Sequence, residues 1–319
     1  MNPSIPKVMR AVVIDKFGGP QVLHVASIPV PELGEREVLI RVRFAGIGVW
    51  DPWLREGGLS AGRFPLVLGS EGAGIVAAHG SKARRFKVGD RVYAYAFDNS
   101  KGGFYAEYAV VSEDNAAAVP GNLSTEEGGA LPASGITALL GLEKLRIKRD
   151  GALMILGASG GVGHVALQLA KRMGARTLAV ASGRDGVELV RHLGADQAVD
   201  GHDPKILGTV KDFASAGPHA ALAFANSEKL MEVLKQVKKG GRIAYPNGVE
   251  PVPKGPSGVK VHAYDAIASP ETLERLNSLI ARGPFHVTIS RTYRLEEAAQ
   301  AHRDVLKHHL GKLSLRISD

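Results

Sequence analysis

The sequence predicts an α/β chain in which a doubly wound parallel sheet is inserted into a mostly β domain. Three features carry that expectation: short β-rich runs cut by Gly and Pro up to about residue 120, alternating strand and helix patterns after it, and a return to β pattern in the tail. A length of 319 residues suits two domains. The expected partition is 1–121 with 285–319 for a discontinuous β domain and 122–284 for the inserted one.

In the first stretch, residues 8–14, 22–28, 37–45, 72–78, 91–96 and 105–110 have strand length and β-branched or aromatic content, as in a barrel-like sheet. Ser124 and Glu127 have capping-box spacing, and the helical pattern after them runs to Leu145 with Pro132 as an expected kink. A buried strand at 152–156, a Gly-rich turn and a helix at 162–173 follow. Strands at 177–181, 197–199, 220–224 and 242–245 then alternate with helices at 186–193 and 227–238, and another helix follows at 271–282. Such alternation means βαβ units and a parallel sheet. The tail reads as a strand at 287–289, a helix at 295–307 and a strand at 312–317, which returns the chain to the first domain.

Composition narrows the chemistry. With no cysteine, disulfides, thiolate nucleophiles and Cys-ligated zinc are excluded, while a His/carboxylate metal site stays open. The balance of 40 Lys and Arg against 32 Asp and Glu leaves +8, but the basic residues are spread along the chain. That pattern reads as a solvated surface biased toward anionic ligands rather than a nucleic-acid site. No apolar window reaches membrane-spanning length and the opening residues lack a signal-peptide pattern, so a cytoplasmic protein is expected.

The central motif is Gly157-Ala158-Ser159-Gly160-Gly161-Val162-Gly163, between a buried strand and a helix. A tight strand-to-helix turn without bulky side chains lets backbone N–H groups and the helix N-terminus approach a pyrophosphate. Ala158, Gly160 and Gly163 hold the three fingerprint positions, and Ser159, Gly160, Gly161, Val162 and Gly163 are the expected pyrophosphate contacts. At the end of the next strand, an acidic residue would hold a ribose 2′-hydroxyl. The chain instead has Ala181-Ser182-Gly183-Arg184, so Ser182 and Arg184 fit a 2′-phosphate and point to NADP(H). Asp185 either turns toward the ribose or caps the helix beginning near Gly186. Tyr245 and Asn247 end a later strand, where doubly wound sheets place ligand contacts.

These motifs resemble the medium-chain dehydrogenase/reductase superfamily, in its zinc-independent NADPH:quinone oxidoreductase-like branch. The resemblance runs nearly end to end, through Phe44-Ala45-Gly46-Ile47 with Asp51, Leu68-Gly69-Ser70-Glu71-Gly72, Lys87-Val88-Gly89-Asp90-Arg91-Val92, Ser134-Gly135-Ile136-Thr137 and Gly311-Lys312-Leu313-Ser314-Leu315. It implies a Rossmann-type sheet inserted into a GroES-like catalytic domain, with Thr137 near the nicotinamide. It also implies a homodimer joined through an edge strand near residues 259–262. Where zinc-dependent relatives carry catalytic ligands, this chain has Gly48, Ser70 and Ala133, leaving only Glu71 of the shell. One carboxylate does not hold a zinc ion, so no metal is expected. Within the branch, the usual Asn is replaced by Gly48, a frequent Tyr by Trp53, and a Tyr of related enoyl reductases by Leu59.

The substrate side rests on Trp53, Ser70 and Tyr95. Trp53, with Trp50 and Phe64 nearby, either walls a pocket for a flat conjugated substrate or fills the core. Tyr95 either donates to a carbonyl or packs with Tyr93 on one strand face. Ser70 either bonds substrate or fills space vacated by a metal ligand. The expected activity is hydride transfer from NADPH to a quinone or an α,β-unsaturated carbonyl, a small hydrophobic electrophile. The competing expectation is an NADPH-binding regulatory or structural protein with little turnover, motivated by the polar groups lost at Gly48, Trp53 and Leu59.

Overall fold

The computed structural model describes residues 5–58 and 64–318, which fall into two units. Met1–Ala133, Ala268–Asn277 and Ile289–Asp319 form the first, and Ser134–Ile267 with Ser278–Thr288 the second. The first unit opens with β1 (Val8–Ile14), β2 (His24–Pro29), β3 (Glu37–Ile47), α1 (Asp51–Arg55), β4 (Leu66–Val67) and β5 (Glu71–His79). It continues through β6 (Arg91–Tyr95), β7 (Tyr108–Ser112), β8 (Ala116–Ala118) and α2 (Thr125–Ala130).

The second unit holds α3 (Pro132–Leu145, whose first two residues belong to the first unit), β9 (Ala152–Leu156), α4 (Gly163–Arg172), β10 (Arg176–Ala181), α5 (Gly183–His192) and β11 (Gln197–Asp200). After them come α6 (Ile206–Phe213), β12 (Ala220–Ala223), α7 (Glu228–Leu234), β13 (Arg242–Pro246) and β14 (Lys260–Tyr264). The chain then runs through α8 (Pro270–Ile280) to β15 (Ile289–Arg294), α9 (Ala298–Asp304) and β16 (Lys312–Arg316), the last three in the first unit.

In the first unit β2-β1-β4 form one antiparallel sheet, and β15-β16-β3-β5-β6-β8 a second, with β7 also paired to β3. β16 runs antiparallel to β3, with Leu313 opposite Ile47, so the chain's tail completes the sheet begun near its start. In the second unit all six strands are parallel in the order β11-β10-β9-β12-β13-β14. That is the doubly wound order of dinucleotide-binding folds. β9, Ala-Leu-Met-Ile-Leu, is buried throughout, as a central parallel strand covered on both faces must be.

Several elements differ from the sequence expectation for local reasons. Pro132 does not kink a helix but opens one: α2 ends at Ala130, and Pro132 starts α3, where its missing N–H has no partner to lose. The capping box between Ser124 and Glu127 does form. The stretch expected as a strand from residue 105 pairs as one only from Tyr108, because Tyr105 is turned to the other sheet, its carbonyl taking the Val12 N–H. The tail strand lies at Ile289–Arg294 rather than 287–289. α1 and α6 are elements the sequence reading did not anticipate.

The first unit also runs through Ala133 rather than stopping at 121. α2 packs on its sheet through glycine: a Cβ at Gly129 would lie 2.7 Å from the Phe44 carbonyl oxygen. Most of α8, through Asn277, belongs there too, with Asn277 accepting from the Tyr93 hydroxyl and donating to the Ala118 carbonyl. Among the described residues no helix is long and apolar enough to cross a membrane.

Candidate active site

In the second unit the Gly-rich turn leaves β9 at Leu156 and enters α4 at Gly163. Gly157 sits at φ +76°, a region glycine enters without strain. The Ala158 N–H is held by the Val180 carbonyl of β10 at 2.9 Å. Gly163 is obligatory, since a Cβ there would lie 2.1 Å from the Gly157 carbonyl oxygen. Gly160 is different: its nearest neighbour would be 3.5 Å from an added Cβ, so packing does not demand glycine and the space in front of it suits a close ligand. These residues fit a dinucleotide pyrophosphate.

Ser159 is buried, and its Oγ accepts the Ser182 N–H at 3.3 Å, so its side chain ties the loop to the end of β10 rather than facing outward. Ser182 precedes α5 without capping it. The Arg184 side chain is 93% exposed and donates to Glu188 at 3.0 Å, an i,i+4 surface pair of little strength. Asp185 accepts the Gly186 N–H at 2.9 Å in the first turn of α5, favouring its capping reading. No acidic residue ends β10.

Elsewhere in this unit, Thr137 is buried in α3 and its carbonyl accepts the Tyr264 hydroxyl at 2.9 Å. Tyr245 is half-buried in β13, and Asn247 follows that strand with its amide donating to Asp265 at 2.8 Å. The C-terminal ends of β9, β10 and β13 thus bring Ser159, Ser182 and Asn247 to one edge of the sheet.

The first unit holds a separate cluster where β3, β5 and β16 meet. Lys312, 3% exposed, donates to Glu71 Oε1 at 2.6 Å and to the Ile47 carbonyl at 3.2 Å. Glu71 Oε2 accepts the Ala133 N–H at 2.7 Å. Burial pushes the Glu71 carboxyl upward while the adjacent ammonium pulls it back. The Trp50 indole N–H donates to Ser70 Oγ at 3.1 Å, and the Lys312 ammonium lies 5.5 Å from its ring centroid. A Cβ at Gly48 would fall 2.2 Å from the Trp50 ring, so the indole occupies space that any larger residue at 48 would need. Asp51 closes the turn after β3: its Oδ2 accepts from the Gly48 N–H and the Tyr105 hydroxyl, both at 2.8 Å. Its other oxygen is buried without a partner, and burial raises this carboxyl to about 6.

Of the expected substrate residues, Ser70 lies in this cluster, and Tyr95 is buried on β6 in register with Glu71, the residue after Ser70. Trp53 is 52% exposed on α1, folded over Gly58, so it does not fill the core. Phe17 and Phe64, also exposed, stack edge to face with centroids 5.0 Å apart. A cavity of about 40 Å³ touches Ser70, Leu54, Leu68 and Phe17. A larger groove of about 500 Å³ lies among Arg10, Arg294, Arg316, Glu107 and Glu296, and its charged lining does not suit an apolar electrophile. Leu59 lies outside the described residues.

Among the described residues no three His, Asp or Glu side chains gather as a metal-ligand set. Glu71 is paired with an ammonium and Trp50 stands between Gly48 and Ser70, so the residues do not fit zinc. Lys312, Trp50 and the Asp51–Tyr105 pair were not identified as site residues from sequence. A lysine inside the alternating strand Lys-Leu-Ser-Leu-Arg was the one available signal.

A Gly-rich dinucleotide loop on a six-stranded parallel sheet, joined to a β unit holding the polar cluster, defines a nicotinamide-dependent oxidoreductase. Two family models match: an alcohol dehydrogenase GroES-like domain over residues 34–121 and a zinc-binding dehydrogenase over 161–268. A quinone oxidoreductase of Mus musculus is 31% identical over 96% of this chain and 96% of its own. The chloroplastic NADPH-dependent alkenal/one oxidoreductase of Arabidopsis thaliana is 32% identical over 88% of this chain and 72% of its own. A crystal structure of an NAD-dependent alcohol dehydrogenase superposes with TM-score 0.89 at 30% identity, covering 97% of this chain and 100% of that one. The chain belongs to the medium-chain dehydrogenase/reductase superfamily, in its quinone oxidoreductase-like branch.

Proposed function

We propose that the chain is a zinc-independent reductase that passes hydride from NADPH to quinones or α,β-unsaturated carbonyls. The observation that carries this reading is the Trp50–Ser70–Lys312–Glu71 cluster, which fills the position of a metal shell with an indole and an ion pair. With no metal shell to polarise a carbonyl, an acceptor activated by its own conjugation, a quinone or an enone, suits this cluster best. The exposed rings of Trp53, Phe17 and Phe64 give a flat substrate an apolar approach. The names of the mouse and Arabidopsis relatives support the same acceptor classes.

When bound, the nicotinamide supplies the hydride. The backbone from Ser159 to Gly163 holds its pyrophosphate, and Ser182 with Arg184 holds the 2′-phosphate, Arg184 swinging away from Glu188 to do so. The Ser70 hydroxyl, fixed by the Trp50 N–H, faces the substrate oxygen, and Tyr95 backs it. The proton that completes reduction comes from water. Cytoplasmic placement and a homodimer through β14 belong to the same proposal.

The test is NADPH oxidation by purified protein against a panel of quinones, enones and simple ketones, with NADP+ reduction by simple alcohols followed in the reverse direction. Turnover with the conjugated acceptors, unchanged by a chelator, is the expected outcome. Chelator-sensitive turnover of simple alcohols would sink the reading. Tight NADPH binding with no turnover across the panel supports the regulatory alternative instead.

A further inference from the structure

His164, the second residue of α4, is fully buried and faces two backbone groups. Its Nδ1 lies 2.9 Å from the Gly160 carbonyl oxygen, and its Nε2 accepts the Thr288 N–H at 3.1 Å. A carbonyl only accepts and a peptide N–H only donates, so the ring is the neutral Nδ1–H tautomer. The same Gly160 carbonyl also takes the His164 backbone N–H, at the longer distance of 3.2 Å. Beside it, Gln168 binds His286 with both ends of its amide, Nε2 to the carbonyl at 2.9 Å and Oε1 from the N–H at 3.0 Å.

The Gly160–Gly161 peptide is where the loop should meet a pyrophosphate, and it joins two residues without side chains. With no side chain on either residue, the plane is set by the hydrogen bonds to the Gly160 carbonyl, the shorter from the His164 ring and the longer from the His164 backbone N–H. In a trans peptide the carbonyl and the following N–H point in opposite directions. A carbonyl drawn in toward α4 therefore turns the Gly161 N–H out of the loop. We propose that His164 is a cofactor-positioning residue: its Nδ1–H holds the Gly160 carbonyl inward and so aims the Gly161 N–H at the pyrophosphate of a bound nicotinamide dinucleotide. The Thr288 N–H contributes by fixing the tautomer that can donate. This inference rests on the dinucleotide reading of the loop, and it goes further in giving a buried side chain control of the loop's donor.

The two ring nitrogens can be separated by substitution. His164→Asn places an amide N–H where Nδ1 sits and keeps the donor to Gly160. His164→Gln reaches the Nε2 position and keeps a partner for Thr288. His164→Leu removes both. NADPH and NADH affinities are measured by calorimetric titration, alongside the melting temperature of the unliganded protein. Expected is an Asn variant within about threefold of the parent affinity and Gln and Leu variants weakened about tenfold or more, with Asn and Gln melting alike. Affinity kept by Gln and lost by Asn overturns the proposal, because the effect then runs through residues 286–288. Equal losses in Asn and Gln, or no loss in any variant, overturn it as well. A parent chain that binds neither dinucleotide overturns the underlying reading together with it, and that outcome is visible before any variant is made.

Discussion

At the scale of single residues, the buried Lys312–Glu71 pair decides how the first unit tolerates change. Two charges taken out of water repay that cost only through each other and their hydrogen bonds, here the Ile47 carbonyl and the Ala133 N–H. Lys312→Met leaves Glu71 buried and unpaired, and a loss of about 3–5 kcal/mol in urea unfolding is expected. The double variant with Glu71→Gln should be more stable than Lys312→Met alone. Strictly additive losses would show that the pair is not a unit.

Asp51 gives a pH signature. Its carboxyl is raised to about 6 when folded, so the folded chain holds this proton more tightly than the unfolded one. Its stabilising contribution is therefore complete below the unfolded value near 3.8 and disappears as pH rises through 6. Relative to Asp51→Asn, the parent chain should gain about 2 kcal/mol of unfolding free energy between pH 7 and pH 4, the remainder of the roughly 3 kcal/mol limit appearing only below pH 4. His302 acts the opposite way: burial and Arg55 push it down to about 3, so its neutral form costs stability as pH falls below the ordinary 6.5. It is present in both chains, so the difference between them isolates Asp51. A difference that stays flat with pH would refute the assignment.

At the scale of elements, what could be read from the sequence was what neighbours in the sequence determine. The Gly157–Gly163 turn is specified by contacts within itself and with adjacent strands, such as Gly163 against the Gly157 carbonyl. Strand β1 has the anticipated limits, 8–14, since its apolar run stands between polar turns. The metal-shell replacement was legible only as an absence at Gly48, Ser70 and Ala133. What fills it comes from afar, because Lys312 reaches Glu71 across 241 residues and no local pattern announces that pairing. α1 was missed for a related reason: Asp51-Pro52-Trp53-Leu54-Arg55 is too short for a helical period, and tertiary bonds to Asp51 and Arg55 hold it.

The turn from β10 into α5 yields a prediction of its own. Gly183 opens α5 at φ +74°, and Arg184 follows it in the first turn with its side chain in solvent. Arg184→Ala should weaken NADPH binding about tenfold in a fluorescence titration while leaving NADH unchanged, since only the 2′-phosphate distinguishes them. Equal losses for both cofactors would place Arg184 elsewhere than on that phosphate.

At the scale of the whole molecule, charge is divided unequally between the units. The second unit carries 19 Lys and Arg against 12 Asp and Glu, a net +7, so it accounts for nearly all of the chain's +8. The first unit, with 21 against 20, is close to neutral. A local instance is His262 on β14, whose pKa is lowered by burial and then by Arg242, Lys144, Lys260 and Arg146 around it. A positive field on the unit that bears the phosphate-binding loop draws a polyanionic cofactor and gives an uncharged acceptor nothing. Screening lengths fall from about 10 Å at 0.1 M salt to about 3 Å at 1 M, so that attraction is removed by salt. Raising ionic strength from about 0.05 to 0.5 M should therefore weaken NADPH binding by about tenfold, weaken NADH less, and leave the KM of a neutral quinone or enone nearly unchanged. Stopped-flow binding places the effect in the association rate. If the neutral acceptor's KM rises in step with that of NADPH, salt is acting on the fold, and the uneven charge has no part in capturing the cofactor.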